Sequence, residues 1–128
     1  MVSQTTHNIK ISVKPEYDTK NSYPSANRFV FRYNIAIENF GTAPVQLLKR
    51  KWRIHDTGFG FSEVAGEGVI GLLPIIDPEA DFTYFSHVVL RSGMGNMSGI
   101  YLFKNMLTEE VFEVPIPKFE LVSLVLNN

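Results

Sequence analysis

The chain has 128 residues, a length that suits one domain built around a single hydrophobic core. Twelve basic residues against thirteen acidic ones leave a formal net charge of −1, so no overall positive field attracts nucleic acid or an anionic membrane. Cysteine is absent, which excludes disulfides, thiolate metal ligands and cysteine nucleophiles. We therefore expect no nucleic-acid partner, no membrane partner and no cofactor.

Strict alternation of apolar and polar residues is the dominant pattern along the chain. The segment NRFVFRYNIAIEN at 27–39 places five large apolar residues on one face, namely Phe29, Phe31, Tyr33, Ile35 and Ile37. The N-terminal Ile9, Ile11 and Val13 alternate with polar residues in the same way. A period of two over such lengths predicts strands with one buried face.

Further strands are predicted at 45–55, 82–91, 98–104, 109–115 and 119–126. Turn material separates them: the polar loop 19–27, FGTAP, HDTGFG, the Gly/Pro-rich block at 66–81, RSGMGN and the Pro115–Pro117 pair. No long helical period occurs. The pattern predicts an all-β fold, an antiparallel β-sandwich or barrel, and we favour a sandwich of about seven to nine strands forming one domain over 1–128.

The only tryptophan, Trp52, lies in the middle of the predicted strand VQLLKRKWRIHD. Counting by two places Leu48, Trp52 and Ile54 on the buried side, with Arg50 as an unexpected charge among them. A buried indole contributes a large apolar area, so we expect Trp52 to fill the core between two sheets.

The segment GEGVIG spells a Gly66-x-Gly68-x-x-Gly71 spacing, which resembles a dinucleotide-binding fingerprint. That fingerprint needs a helix directly after the third glycine, whose N-terminus meets the diphosphate. Pro74 and Pro78 oppose such a helix because each removes a backbone donor and clashes with a preceding carbonyl. We expect the glycines to supply unusual backbone angles in a loop leading into an edge strand at Pro74. An anion-binding loop without a helix remains the alternative.

A basic stripe, defined as Lys49, Lys51, Arg53 and His55, alternates along one face of the Trp52 strand. It is either a solvated outer face that discourages edge pairing or part of an anion site. The second interpretation gives a hypothesis in which the stripe and the glycine loop bind a phosphate-type anion together. Its candidate residues are Lys49, Lys51, Arg53, Gly66, Gly68 and Gly71.

Other chemistries find little support in the sequence. His7, His55 and His87 are far apart, and DPEAD at 77–81 lacks the glycine and the later acid of a calcium loop, so we expect no metal site. No nucleophile elbow occurs, and we expect no catalytic residues. Phe85 on the face opposite Tyr84 is either a partner-binding patch or packed under a loop. We expect the C-terminal LVSLVL to be paired or covered, and a homodimer through this edge strand is one way to cover it.

No apolar run approaches the roughly 20 residues that span a bilayer, and the N-terminal MVSQTTHNIKISVK lacks a secretory apolar segment. The absence of cysteine fits a reducing compartment. The expected location is the cytoplasm.

Several spaced motifs resemble those of the ApaG family: LLKRKWRIHD, GEGVIGLLPIIDPEADFTYFS, SGMGNMSGIYLF and FEVPIPKFEL. Pro78-Glu79 departs from the family's usual Pro-Gly. The resemblance implies a fibronectin-III-like sandwich and an association with cobalt and magnesium tolerance. It also implies partner binding, since ApaG domains occur in eukaryotic adaptors, and it carries no established activity.

Together these observations predict a non-enzymatic binding module that acts through a protein partner or a small anion. The alternative is a nucleotide- or polyphosphate-binding protein that uses the Gly66–Gly71 loop and the basic stripe.

Overall fold

The structure, a computed structural model, describes residues 1–123, and over these residues the chain folds as two antiparallel sheets. The nine strands are β1 (Val2–Thr6), β2 (Ile9–Tyr17), β3 (Phe29–Asn39), β4 (Val45–Asp56), β5 (Gly60–Glu67), β6 (Ile75–Ile76), β7 (Asp81–Leu90), β8 (Met94–Asn105) and β9 (Val111–Val122). One turn of 3-10 helix covers Pro24–Ala26 within the predicted polar loop. The described residues contain no α-helix.

The first sheet has the order β1-β2-β3-β7. The five residues that the alternation assigned to the inner face of β3 are buried, but Val30, which was assigned to the other face, and Asn39 are buried as well. Ile35 at the centre of β3 lies between Val13 of β2 and Tyr84 of β7. Strand β1 joins β2 through His7 and Asn8, which both have positive φ. The sequence analysis missed β1 because four of its five residues are polar or lie at the chain terminus.

The second sheet has the order β5-β4-β8-β9, and the short β6 also pairs with β4. Strand β8 occupies one side of β4 along its whole length. On the other side, β6 pairs with Val45 and Gln46, and β5 pairs with the part of β4 from Lys49 to Asp56. The segment 68–74 connects β5 to β6 and therefore lies along the same edge.

The core lies between the two sheets, and Trp52 is at its centre with 2 % of its surface exposed. Its ring lies 5.3 Å from that of Tyr33 on the opposite sheet and 5.9 Å from that of Phe119. Such edge-to-face pairs add to the apolar area that the indole buries. The prediction of an all-β fibronectin-III/immunoglobulin-like sandwich with Trp52 as a core residue is confirmed.

A β-bulge at Leu48 shifts the phase of β4. Leu47 pairs with Phe103 of β8, whereas Lys49 pairs with Leu102, so Leu48 is the extra residue. Leu47 is fully buried and Leu48 is partly exposed, so the assignment of Leu48 to the buried side was wrong. A bulge inserts one residue and reverses the alternation before it, which a count by two cannot detect.

One predicted turn is strand instead, and another is shorter than predicted. Pro115 and Pro117 lie inside β9, which is the edge strand of its sheet, so a missing N–H there breaks no ladder. A register shift of β8 near Ser98 accommodates Pro117. The predicted turn HDTGFG is shorter than expected, because β5 begins at Gly60.

In the C-terminal LVSLVL, Leu121 is buried within β9, while residues 124–126 lie outside the described residues. Its expected pairing or dimer contact stays a prediction. No helix in the described part of the chain has the length and hydropathy needed to cross a membrane.

Candidate functional site

The GEGVIG segment forms the end of β5 and a tight turn. The Gly68 amide donates to the Leu48 carbonyl at 2.9 Å, so the bulge of β4 anchors the loop. Val69 and Leu72 then exchange two backbone hydrogen bonds of 2.9 and 2.8 Å across Ile70 and Gly71. The chain continues through Pro74 into the short edge strand β6. The prediction that no helix follows Gly71 is confirmed.

Gly68 is the position in this loop where no side chain fits. Its φ is +59°, and an added Cβ would lie 1.9 Å from the Leu72 carbonyl oxygen. Gly71 also has a positive φ, of +76°, but open space surrounds it. Gly68 and Gly71 therefore have the unusual backbone angles that the loop interpretation predicts, whereas for Gly66 the prediction was wrong, because Gly66 lies within β5 and has no positive φ.

Ile70 is the unusual residue of the turn. Its φ is +44°, although a β-branched side chain strongly disfavours positive φ. The side chain is 57 % exposed, so core packing does not offset the strain. Asn or Gly normally occupies the first central position of a two-residue turn with both φ values positive. Strain of this kind is characteristic of functional sites.

Ile70 belongs to a row of exposed apolar residues that we call the apolar edge. Each of its members is between 45 % and 61 % exposed. The members are Phe61 and Val64 of β5, Ile70, Leu72 and Leu73 of the connecting segment, and Ile75 of β6. Since β5, the segment 68–74 and β6 follow the same side of β4, these residues lie along one edge of the second sheet.

The basic stripe faces solvent on the second sheet, but acidic residues share that face. The Lys51 Nζ lies 3.4 Å from Glu63 Oε2, and Glu67 is directly opposite Lys49. The Arg53 guanidinium packs 4.3 Å above the Phe61 ring, on which His55 also stacks. The stripe is therefore a mixed-charge surface.

The structure divides the six predicted anion-site residues between two places. Lys49, Lys51 and Gly66 line a shallow depression of about 340 Å³ on the outer face, together with Arg50 and Glu113. Gly71 instead lines a cleft between the two sheets. Arg53 and Gly68 line neither cavity.

The inter-sheet cleft has a volume of about 200 Å³. Its lining comes from β3, β4, β7 and the turn, and consists of Tyr33, Arg50, Trp52, Val69, Ile70, Gly71, Tyr84 and Ser86. The Arg50 Nη1 donates to the carbonyl oxygens of Glu67 and Gly68, at 3.0 and 2.8 Å. Sequence reasoning noted Arg50 as unexpected on the buried side but gave it no role.

Burial raises the pKa of three tyrosines at this cleft and beneath it. The hydroxyls of Tyr84 and Tyr101 share a hydrogen bond of 2.5 Å, and desolvation raises the pKa of both. Desolvation also raises the pKa of Tyr33, which the side chain of Ser86 hydrogen-bonds. All three hydroxyls are therefore protonated at neutral pH, and the cleft presents neutral donors beside one guanidinium.

The remaining candidates have ordinary structural partners. Phe85 is 48 % exposed, and the Arg32 guanidinium lies 3.7 Å from its ring centroid. In the DPEAD segment, the Glu79 and Ala80 amides donate to the carbonyls of Asn39 and Asp77 and form a turn. Within residues 1–123, no three His, Asp or Glu side chains are grouped so that they could hold a metal ion.

Comparison with known proteins places this architecture in a family. The model of the ApaG domain matches residues 19–105, which include β3 to β8 and the whole GEGVIG turn. The chain belongs to the ApaG family. Protein ApaG of Chromohalobacter salexigens is 38 % identical over 120 residues, which are 94 % of this chain and 94 % of that protein. Protein ApaG of Rhodospirillum centenum is 41 % identical, covering 96 % and 94 %.

Solved structures agree with the ApaG assignment. The crystal structure of an ApaA protein from Bordetella pertussis has a TM-score of 0.88 and 35 % identity, covering 94 % of this chain and 97 % of that one. A protein from Archaeoglobus fulgidus has a TM-score of 0.53 at 11 % identity, which shows a similar fold alone. The resemblance found in the sequence motifs is confirmed.

Proposed function

We propose that this ApaG-family chain is a non-enzymatic binding module that recognises a protein partner through the apolar edge. The observation that carries the proposal is Ile70, which is both strained and exposed at the tip of a turn. A folded chain gains nothing from that combination by itself. An apolar side chain held out at a fixed angle becomes favourable when a partner covers it.

Strand β5 provides further evidence that the apolar edge is a binding surface. All eight of its residues are exposed or only partly buried, and among the described strands it pairs with β4 alone. Its outer backbone groups are therefore available to an extended segment of a partner, as in recognition by strand addition. Exposed apolar side chains next to such an edge supply affinity, and the backbone supplies orientation.

The chemistry of the clefts supports binding rather than catalysis. Tyr33, Tyr84 and Tyr101 have raised pKa values and act as hydrogen-bond donors at neutral pH. Lys51 of the basic stripe is engaged by Glu63, which reduces the local field for a polyphosphate. We therefore favour a protein partner over the nucleotide- or polyphosphate-binding alternative. The association with cobalt and magnesium tolerance would then be an indirect effect of that partnership in the cytoplasm.

The proposal is tested by capture with matched variants. Tagged wild type, Ile70→Asn, Phe61→Ser and the control Leu107→Asn are compared as baits in lysate of the source cells. Leu107 is 71 % exposed and lies in the turn between β8 and β9, away from the apolar edge. We expect wild type and Leu107→Asn to retain the same proteins, and both edge variants to lose them.

Retention of those proteins by both edge variants would show that the apolar edge is not the binding surface. Thermal melts of the four baits control for folding. Reconstitution of the complex from the purified partner, followed by titration with each variant, separates direct binding from bridging by other proteins.

A further inference from the structure

The inter-sheet cleft contains a cation, the Arg50 guanidinium, that forms no ion pair with a carboxylate of residues 1–123. Arg50 is half-buried, and within residues 1–123 no Asp or Glu oxygen lies within 4 Å of its guanidinium. None of the cleft-lining side chains is a carboxylate. A partly desolvated charge without a counter-ion is unfavourable, and an anion in the cleft removes that cost.

Room for the guanidinium is built into the fold. Gly66 lies opposite Arg50 on β5, and an added Cβ at Gly66 would be 3.0 Å from Nη1 and 3.1 Å from Nη2. The carbonyls of Glu67 and Gly68 hold Nη1 in place. Within residues 1–123 both hydrogen bonds of Arg50 use Nη1, so Nε and Nη2 keep their donors for a ligand.

Two tyrosine hydroxyls add donors to the same cleft. Tyr101 is fully buried, and its hydroxyl has one described partner, Tyr84, so its proton must point to Tyr84. Tyr84 thus accepts, and its own proton has no acceptor among residues 1–123. Tyr33 lines the same cleft, and its hydroxyl is protonated at neutral pH because desolvation raises its pKa. The cleft therefore offers hydroxyl donors beside the guanidinium.

We propose that this cleft is a carboxylate-binding site, in which Arg50 pairs with the anion and the Tyr33 and Tyr84 hydroxyls donate to it. A carboxylate carries one charge, which the single guanidinium balances, and its two oxygens match the donor fork of arginine. A volume of about 200 Å³ is below that of pockets for drug-sized ligands, which favours a small acid over a nucleotide. The site uses the inter-sheet side of Arg50, whereas the outer depression that Arg50 also lines contains Lys49, Lys51 and Glu113. Ile70 belongs both to this cleft and to the apolar edge, but Phe61 belongs only to the apolar edge, so Phe61→Ser separates the two proposals.

The test is an NMR titration of the full-length protein with sodium propionate at constant ionic strength. Neutral propionamide and inorganic phosphate serve as comparison ligands. We expect saturable shifts with propionate at the amides of residues 66–72 and near Arg50 and Tyr84, and none with propionamide. A peptide with a free C-terminus is titrated beside its amidated form, which lacks the carboxylate. Tighter binding of the free-carboxyl peptide than of propionate would indicate a carboxylate on a partner chain, and tighter binding of propionate would indicate a free small acid.

Substitutions at Arg50, Tyr33 and Tyr84 test which side chains donate to the bound carboxylate. Arg50→Met should weaken propionate binding by about tenfold or more, as expected for a lost charged hydrogen-bond pair. Tyr33→Phe with Tyr84→Phe should weaken it by about fivefold. Arg32→Met on the outer face of the first sheet is the control, and Phe61→Ser should bind as wild type does. If Arg50→Met does not fold, the tyrosine variants and the wild-type titration still test whether the cleft binds a carboxylate.

The proposal is overturned if wild type shows no saturable shift with propionate or with the free-carboxyl peptide. It is equally overturned if phosphate binds more tightly than propionate, or if folded Arg50→Met binds propionate unchanged.

Discussion

The positive φ of Ile70 is the single residue-level feature on which the proposed binding surface depends. Its φ of +44° falls where Asn and Gly are common and β-branched residues are rare. The neighbouring Gly71 follows the ordinary chemistry of such a turn, and Ile70 does not. Because its side chain is exposed, the strain is not offset within this chain, and the apolar edge offers the reason for keeping it.

Replacing Ile70 by Asn should stabilise the isolated protein, by about 1 kcal/mol, since Asn tolerates positive φ and little apolar burial is lost. Urea unfolding of Ile70→Asn beside wild type measures the change. The matched variant Leu107→Asn, at an exposed turn residue without positive φ, should stay within about 0.5 kcal/mol of wild type. A clear loss of stability in Ile70→Asn would mean that Ile70 packs usefully and is not strained.

Gly68 and Gly71 both have a positive φ, so substituting each by Ala separates the cost of the backbone conformation from the cost of a steric clash. Gly71→Ala should destabilise by about 1 kcal/mol, because only the backbone conformation is penalised. Gly68→Ala should cost clearly more, since its Cβ also meets the Leu72 carbonyl and must displace the turn. Paired denaturation curves test the order, and equal losses in both variants would contradict it.

At the scale of strands, the sequence predicted those with one clean buried face. In β3 and in the first half of β2 the apolar residues alternate, so the burial phase could be counted from them, whereas the adjacent Tyr84 and Phe85 left the phase of β7 open. In β4 the bulge at Leu48 reverses the phase, which is why the count by two from Trp52 assigned Leu48 to the buried side. Strand β5 has no buried face, so periodicity carries no signal for it.

The candidate site was predictable in part for the same reasons. The outward direction of Lys49, Lys51 and Arg53 follows from the alternation after the bulge, and the structure confirms it. The role of Arg50 depends on Tyr33 and Tyr84 from the other sheet, a contact that no local pattern encodes. The left-handed φ of Ile70 was also hidden, because Ile-Gly is not a recognised signature for that turn.

The Tyr84–Tyr101 hydrogen bond joins β7 of one sheet to β8 of the other and should make the sandwich sensitive to alkali. Desolvation raises the pKa of both tyrosines above the ordinary value of 10.0, so the native state retains protons that the unfolded chain releases. Stability is therefore fully present below about pH 10 and decreases as the pH rises further.

Thermal melts from pH 8 to pH 11 measure this decrease. The double variant Tyr84→Phe with Tyr101→Phe removes both hydroxyls together and should show a shallower decrease than wild type. Identical slopes for the two proteins would indicate that other groups, such as the lysines, dominate the alkaline transition.

As a whole molecule, the sandwich has one closed side and one open side. Strand β9 packs against β1 and β2 and closes the first. On the other side, the end of β5, the Val69–Leu72 turn and β6 cover the gap between β4 and β7, and the cleft remains beneath them. The apolar edge and the Arg50 cleft therefore occur together at the side where the sheets are held apart.

Hydrogen–deuterium exchange on the complex with the captured partner tests the central proposal most directly. We expect slower exchange, relative to the free protein, in the amides of residues 60–76. Exchange over β1 and β2 on the closed side should be unchanged. Protection confined to β1, β2 or the outer face of the first sheet, with residues 60–76 exchanging as in the free protein, would contradict the assignment of the apolar edge as the binding surface.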